Sequence, residues 1–359
     1  MRRERNRYTF ASEREKGRHS HTFRKALGVM LLLLAAVIWV VNLTVSGRVQ
    51  LEELRLTVLN LPQELEGYSI LHISDLHGAR YGEKQKAIAA ALGTARYSCV
   101  VMTGNMLGQD GDPEPLLELV ALMPEETPKY LILGDTDPDA VLARAHGNLS
   151  VYADWAVRVQ EAGVTLLDLP VLQVREKKGR IWFVPENLYT VDAQRMADVY
   201  RSQIADLRIR ATALDADDAA RLRALEYDLD RMERLAELRK EFTATDIQVV
   251  LTHMPLTQEY VADMVMSAKK EEPFSMRYAS LILAGHYNGG QWRIPWAGPV
   301  YVPDRGWFPG DEGLVGLDYL EGIPQYISPG LGSDPTYRWQ PGRLFNTPVM
   351  TRIVLTRRG

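Results

Sequence analysis

Five short apolar runs, each delivering a glycine or a polar side chain at its C-terminal end, constrain this chain more than any other feature. Ser69–Ser74 reads as a buried strand, and Tyr97–Thr103 and Lys129–Gly134 follow the same pattern. Gln248–Thr252 and Ser280–Ala284 repeat it, and each runs almost directly into a histidine, His253 and His286. Near-continuous apolar strands of this kind are buried on both faces, so helices or a second sheet must cover them. Strands that deliver polar groups at their C-terminal ends are how an α/β protein builds a site. Leu54–Leu59 alternates like a half-buried strand, and Glu83–Arg96 has helical spacing.

The first of these strands leads into Ser74-Asp75-Leu76-His77. Side chains two apart on a strand-like segment point the same way. Asp75 and His77 therefore form a paired oxygen and nitrogen donor set suited to Mn, Fe or Zn. An isolated Asp-x-His is common by chance. The combination with a distant Gly285-His286-Tyr287-Asn288-Gly289-Gly290 loop is far more specific.

The N-terminus carries a second constraint. Ala26–Val41 is apolar apart from Gly28, and Leu43–Val45 extends the run past one Asn. About twenty such residues suffice to cross a bilayer as a helix. Nine Arg and Lys residues precede the run, against three Glu, so the positive-inside rule keeps residues 1–25 cytoplasmic and sends the rest outward. Residues 1–25 are read as a basic tail, 26–46 as a transmembrane anchor with Trp39 near its outer end, and 50–359 as the folded domain. A cleaved signal peptide ending near Val45-Ser46-Gly47 is the competing interpretation.

Between Val191 and Phe242 the composition shifts to Ala, Leu, Arg, Asp and Glu. Met196, Tyr200, Ile204 and Leu207 fall at helical spacing. After the N-cap candidate Asp215, Leu222, Leu225, Leu229, Met232 and Ala236 keep a three-four rhythm. Residues 191–243 thus read as an inserted helical hairpin, either packing on the core or capping the site, or offering a docking surface to a protein. A net charge of −4 gives no reason to expect a nucleic-acid partner. The single cysteine, Cys99, lies in an apolar strand and reads as a buried thiol. The Gly-, Pro- and Trp-rich tail after Gly289 is expected to form loops and short strands.

At Asp75-x-His77, Leu251-Thr-His-Met-Pro255, Gly285-His286 with Gly289-Gly290-Gln291, Gly298–Pro303 and Gly330-Leu-Gly332, the chain resembles the calcineurin-like metallophosphoesterases, in particular their membrane-anchored bacterial branch. The resemblance implies an α/β sandwich of two mixed β-sheets flanked by helices, with a metal site at their upper edge. It also implies roles. Asp75 and His77 correspond to ligands of a first metal, and His253 and His286 to ligands of a second.

Four positions depart from the family pattern. Asn105 stands where a carboxylate bridges both metals, and Asp135 where the second metal has an Asn. Thr136 replaces a catalytic His, and Asn288 replaces the last His of the first site. Two divalent ions about 3.5–4 Å apart need an anion between them, which neutral Asn105 does not supply. Asp135, His253 and His286 still form a two-His, one-carboxylate set, so one tight divalent metal with a weak or empty first position is expected. Asp137 is a candidate extra ligand or anchor beside them. Two functions follow. One is a metal-dependent phosphoesterase on the outer face of a bacterial cytoplasmic membrane, with a lipid or envelope phosphoester among its substrates. The other is a catalytically impaired relative that binds a ligand or a protein.

Overall fold

The structure, a computed structural model, describes residues 12–108, 110–141, 152–175, 179–210, 215–303, 305–336 and 342–357. Sixteen strands and seven α-helices are found among them. The first sheet has the order β1-β16-β2-β3-β4-β5. Its strands are β1 (Gln50–Thr57), β2 (Ser69–Ile73), β3 (Cys99–Thr103), β4 (Lys129–Ile132), β5 (Val164–Leu166) and β16 (Val349–Thr356). β2 to β5 pair in parallel, whereas β16 runs antiparallel to β2 and parallel to β1.

The second sheet has the order β14-β15-β9-β8-β7-β6. It comprises β6 (Val171–Arg175), β7 (Gly179–Pro185), β8 (Ile247–Leu251), β9 (Ala279–Ala284), β14 (Gly316–Leu320) and β15 (Ile323–Ile327). β7, β8, β9 and β15 are parallel, with antiparallel β6 and β14 at the two edges. The architecture is the sandwich of two mixed sheets that the resemblance implied.

Period-two alternation explains the layering. Ile181 and Phe183 of β7, with Ile247, Val249 and Leu251 of β8, face Ile70, Cys99, Val101 and Tyr130 of the first sheet to form the central core. The intervening residues, Trp182 and Val184 of β7 and Val250 of β8, face outward and are covered by helices. Trp182 and Val184 pack with α5 (Ala193–Arg210) and α6 (Ala216–Arg239), whose Met232 and Leu235 are buried there. Trp182 stacks on Phe242 with ring centroids 3.9 Å apart. Val250 packs with Val261 of α7 (Gln258–Ser267). The outer face of the first sheet is covered by α2 (Lys86–Leu92), α3 (Glu114–Val120) and α4 (Asp154–Glu161). α6 begins on Asp215, whose side chain accepts a hydrogen bond from Asp218 N, a standard N-cap arrangement. Cys99 is buried and unpaired, with its thiol pushed up to about 12 by burial.

Several local expectations shift. The first strand starts at Gln50 and ends at Thr57, because a turn follows in which Leu59 is exposed and Asn60 takes a left-handed φ of 56°. The helix expected over Glu83–Arg96 is a 3₁₀ turn followed by α2, which stops at Gly93, where φ is 50°. The tail does contain two-residue strands, β10 (Arg293–Ile294), β11 (Gly298–Pro299), β12 (Tyr301–Val302) and β13 (Gly306–Trp307). It also contains β14, β15 and the eight-residue β16, which are full members of the sheets. A long helix, α1 (Ser12–Ser46), precedes the sandwich. Within its segment Phe23–Ser46 the most apolar window has a mean hydropathy of 2.6, and the segment is long and apolar enough to cross a membrane. His146 and the first eleven residues of the basic tail lie outside the described residues.

Candidate metal centre

Both sheets present the C-terminal ends of their central strands at one rim, and loops from β2, β3, β4, β8 and β9 meet there. Backbone bonds knit these loops together. Asp75 N donates to Gly104 O (3.0 Å), His77 N to Asn105 O (2.8 Å) and Gly285 N to His253 O (2.9 Å). Space is tight at the crossing. A Cβ on Gly104, where φ is +86°, would lie 2.6 Å from Gly134 Cα and 2.7 Å from His253 Nδ1. Only glycine fits there. Asp75, His77, Asn105, His286 and Asn288 all adopt positive φ, between 48° and 77°. Five non-glycine residues in this sparsely populated region at one rim indicate loops held by surrounding structure rather than by local preference.

Asp135, His253 and His286 place one donor atom each within 4.8 Å of one another. His253 Nε2 lies 2.9 Å from Asp135 Oδ1, and His286 Nδ1 lies 3.7 Å from the same oxygen and 3.3 Å from His253 Nε2. The other ring nitrogen of His253 sits 2.7 Å from the carbonyl of Thr103. A carbonyl accepts only, so Nδ1 carries the proton and Nε2 faces the cluster. This is the arrangement by which a protein orients a histidine toward a metal. His253 and Asp135 form an ion pair. Burial pulls His253 down, but the hydrogen bond to Asp135, the charge of Asp75 and the Thr103 carbonyl outweigh it and raise the imidazole to about 9. The same hydrogen bond from His253, with His286 close beside it, pulls Asp135 far below the usual carboxylate range.

A second set of donors lies beside the first. Asp75 Oδ2 accepts from His286 N at 3.0 Å, whereas Asp75 Oδ1 is buried and has no hydrogen-bond partner. Asn288 Oδ1 is likewise buried and unpartnered. His77 Nε2 is 3.8 Å from Asp75 Oδ1 and 3.3 Å from Asn288 Nδ2. Burial lowers the pKa of His77, which favours the neutral imidazole that a metal needs, although the nearby Asp75 opposes that shift. Buried orphan acceptors are costly, and two of them next to a neutral imidazole fit a cation-binding position.

The remaining candidates have other engagements. Asn105 Oδ1 accepts from Thr136 N at 2.9 Å, and its Nδ2 donates to Asp135 Oδ1 at 2.9 Å. The Thr136 N–H fixes which end of the amide is oxygen, so Asn105 turns a donor, not a ligand oxygen, toward Asp135. Asp137 accepts from Leu107 N (2.9 Å) and Gly134 N (3.0 Å), one bond to each oxygen. It ties the loops after β3 and β4 to each other, and burial raises its pKa despite those bonds. The hydroxyl of Thr136 is buried and has no partner, so it does not face an open site. Asp110 accepts from Asp112 N within its own turn.

A hollow of about 440 Å³ runs from His253 along the edges of β4 and β7 to α6. Leu133, Tyr152, Asp168, Tyr227 and Arg231 are among its walls. Tyr227 donates to Asp168, and Arg231 Nε donates to the carbonyl of Asp168 at 3.0 Å. The helical hairpin therefore forms one side of a pocket that reaches the metal-type cluster. Sequence reasoning allowed for a hairpin over the site but named neither Tyr227 nor Arg231 in it, and it missed Arg343 and Asn346. Asn346 Nδ2 donates to Asn288 O at 2.7 Å. Arg343 is buried beneath the same loop, donates to Gly332 O and Pro329 O, and has a pKa lowered to about 10 by burial. No periodicity or motif marks either residue.

Two mixed sheets that meet at a rim of Asp, His and Asn side chains define a metallophosphoesterase-type scaffold. A family model for calcineurin-like phosphoesterases matches residues 68–287, more than half of the chain. This protein belongs to that family. No curated protein matches it. Among solved structures it is similar to the phosphopantetheinyl hydrolase of Mycobacterium tuberculosis, with 13% identity over 80% of this chain and 96% of that one, and a TM-score of 0.37. At that score the likeness bears on neither substrate nor site.

Proposed function

We propose that this protein is a metal-dependent phosphoesterase anchored to the outer face of a bacterial cytoplasmic membrane, with one strong metal position. The observation that carries this reading is the convergence of Asp135, His253 and His286, from three separate loops, within 4.8 Å. Residues 26–46 act as the span, residues 1–25 as its cytoplasmic tail, and residues 50–359 as the catalytic unit. The 191–243 hairpin supplies a pocket wall.

A divalent ion of Mn, Fe or Zn, held by Asp135, His253 and His286, would polarise a phosphoryl oxygen and acidify an attacking water. Asp75, His77 and Asn288 offer a second, weaker position. Asp75 also holds the His286 loop through its backbone N–H. Thr103 fixes the His253 tautomer, and Asn105 clips Asp135 in place. The pocket beside His253 accommodates the organic part of the ester, with apolar walls from Leu133 and the ring edges of Tyr152 and Tyr227.

One set of observations favours the impaired-relative reading. Asn105 brings no charge to bridge two ions, and Thr136 cannot replace a proton-donating His. Loss of general acid–base help costs about 10²–10⁴-fold in rate. The test is elemental analysis of the full chain, combined with turnover of bis(p-nitrophenyl) phosphate and a panel of phosphomonoesters. About one metal equivalent and measurable hydrolysis, both lost in His286→Ala, are expected. A metal-free protein refutes the metal centre. A metal-loaded but inert protein that hydrolyses ester only as Asn105→Asp/Thr136→His/Asn288→His would establish the impaired relative instead.

A further inference from the structure

The outer end of α1 is bonded to the rim of the metal-type centre through very few residues. Asn42 Nδ2 donates to Arg343 O at 3.0 Å, and Asn42 Oδ1 accepts from Phe345 N at 2.8 Å. The next residue, Asn346, donates to the carbonyl of Asn288. Two small hairpins leave this same rim immediately after Gln291, β10–β11 and β12–β13. They are tied to the α1 contact, because Arg293 N donates to Leu344 O at 2.9 Å. Val300 joins the two, donating through its N to Trp292 O at 2.8 Å and accepting from Phe308 N at 3.0 Å.

Exposed aromatic rings line these hairpins: Trp296 lies in the turn of the first, whereas Trp307 ends β13 and Phe308 follows it. Trp296 is 97% exposed, Trp307 64% and Phe308 57%. Trp296 and Phe308 sit at positive φ, 61° and 49°, a conformation that bulky residues rarely take. Trp296 in its turn and Phe308 after β13 are therefore held in place against local preference. Trp296 and Phe345 border one shallow hollow, so the aromatic face is continuous with the segment that holds the helix end. Exposed aromatic clusters mark interaction surfaces, and tryptophan in particular favours the boundary between lipid and water. Arg293 on this face is paired with Asp311, which borders the same hollow, so the face carries little net charge there.

We propose that Trp296, Trp307 and Phe308 insert into the outer-leaflet interface of the bilayer that α1 spans. This docking rests on the reading of α1 as a span. It turns the rim that bears Asp135, His253 and His286 toward the lipid surface and sets it at headgroup depth. The substrate class that this position serves is a phosphoester at the bilayer surface rather than one diffusing freely.

The test reconstitutes the full chain in phosphatidylethanolamine–phosphatidylglycerol vesicles that contain no other protein, with or without bromine on the acyl chains. Trp39, inside the apolar run, is first removed as Trp39→Phe. Quenching of the remaining tryptophan emission by brominated lipid is expected to persist in that variant. It is expected to be lost in Trp39→Phe/Trp296→Phe/Trp307→Phe. Equal emission in brominated and plain vesicles, from a Trp39→Phe chain that still co-floats with them, overturns the proposal. A chain that does not co-float refutes the span, and the docking falls with it. Quenching is read without metal or turnover, so an inert metal centre leaves this test intact.

Discussion

Asn105→Asp probes the hydrogen bond that sets this rim apart from a charge-bridged pair of metals. In the structure the Asn105 NH₂ donates to Asp135 Oδ1 at 2.9 Å. The substitution replaces that donor with a second negative charge at the same separation. At 2.9 Å the repulsion between two unit charges ranges from about 1.4 kcal/mol in water to about 6 kcal/mol at an effective dielectric of 20. The side chain of Asp135 is 55% exposed, so the lower part of that range applies. Loss of the hydrogen bond adds about 1 kcal/mol. A destabilisation of roughly 2–3 kcal/mol follows, or a fall of roughly 3–5 °C in melting temperature. The new carboxyl can escape by taking up a proton, so the loss should shrink in acid.

Melting curves in chelator and in excess Mn²⁺, with metal counting, provide the assay. The variant should melt lower than the wild type in chelator. It should also gain more from Mn²⁺, because an anionic bridge lets two ions share the site, and bind more metal per chain. If the two proteins melt together in chelator and bind the same amount of metal, the Asn105 donor does not face Asp135. The argument for a single strong position then fails.

His72 is fully buried, and burial depresses its pKa to about 3. Between that value and an unfolded value near 6.5, the unfolded chain binds the extra proton. Stability should therefore fall by about 1.4 kcal/mol per pH unit as pH drops below about 6.5. His72→Phe should flatten that slope by one proton in denaturant titrations, and an unchanged slope would contradict the burial argument. Gly285→Ala places a methyl 2.6 Å from Asp75 Oδ2 and should cost about 1–3 kcal/mol while lowering metal content. Normal metal content in that variant would show that Asp75 does not support the His286 loop. Asp246→Ala strands Arg180, Trp182 Nε1 and Thr243, which all donate to it, and should cost about 3 kcal/mol in chemical denaturation. A loss within error of zero would show that the Arg180 pair contributes nothing to the packing of α5 and α6 against the second sheet.

Much of this protein can be read one residue at a time. The apolar runs Ser69–Ser74 and Gln248–Thr252 announce buried strands, and the polar residues after them announce a rim, because both signals are local in sequence. The spacing of Met196, Tyr200 and Ile204 and the N-cap at Asp215 likewise report helices from neighbours within a few turns. The apolar length of residues 26–45 needs no tertiary information at all.

Tertiary structure decided the rest. β16 lies between β1 and β2, a pairing across some 280–300 residues that leaves no periodic mark. Asn105 reads as a poor metal bridge from its type alone. Only the Thr136 N–H, placed by a different strand end, turns its NH₂ toward Asp135. The pocket wall from Tyr227 and Arg231, and the Asn42–Phe345 contact between helix end and rim, join segments about a hundred to three hundred residues apart. Strand and helix signals depend on the next few residues and so survive in one dimension. Donor direction, orphaned oxygens and pocket walls are set by groups that meet only once the chain has folded.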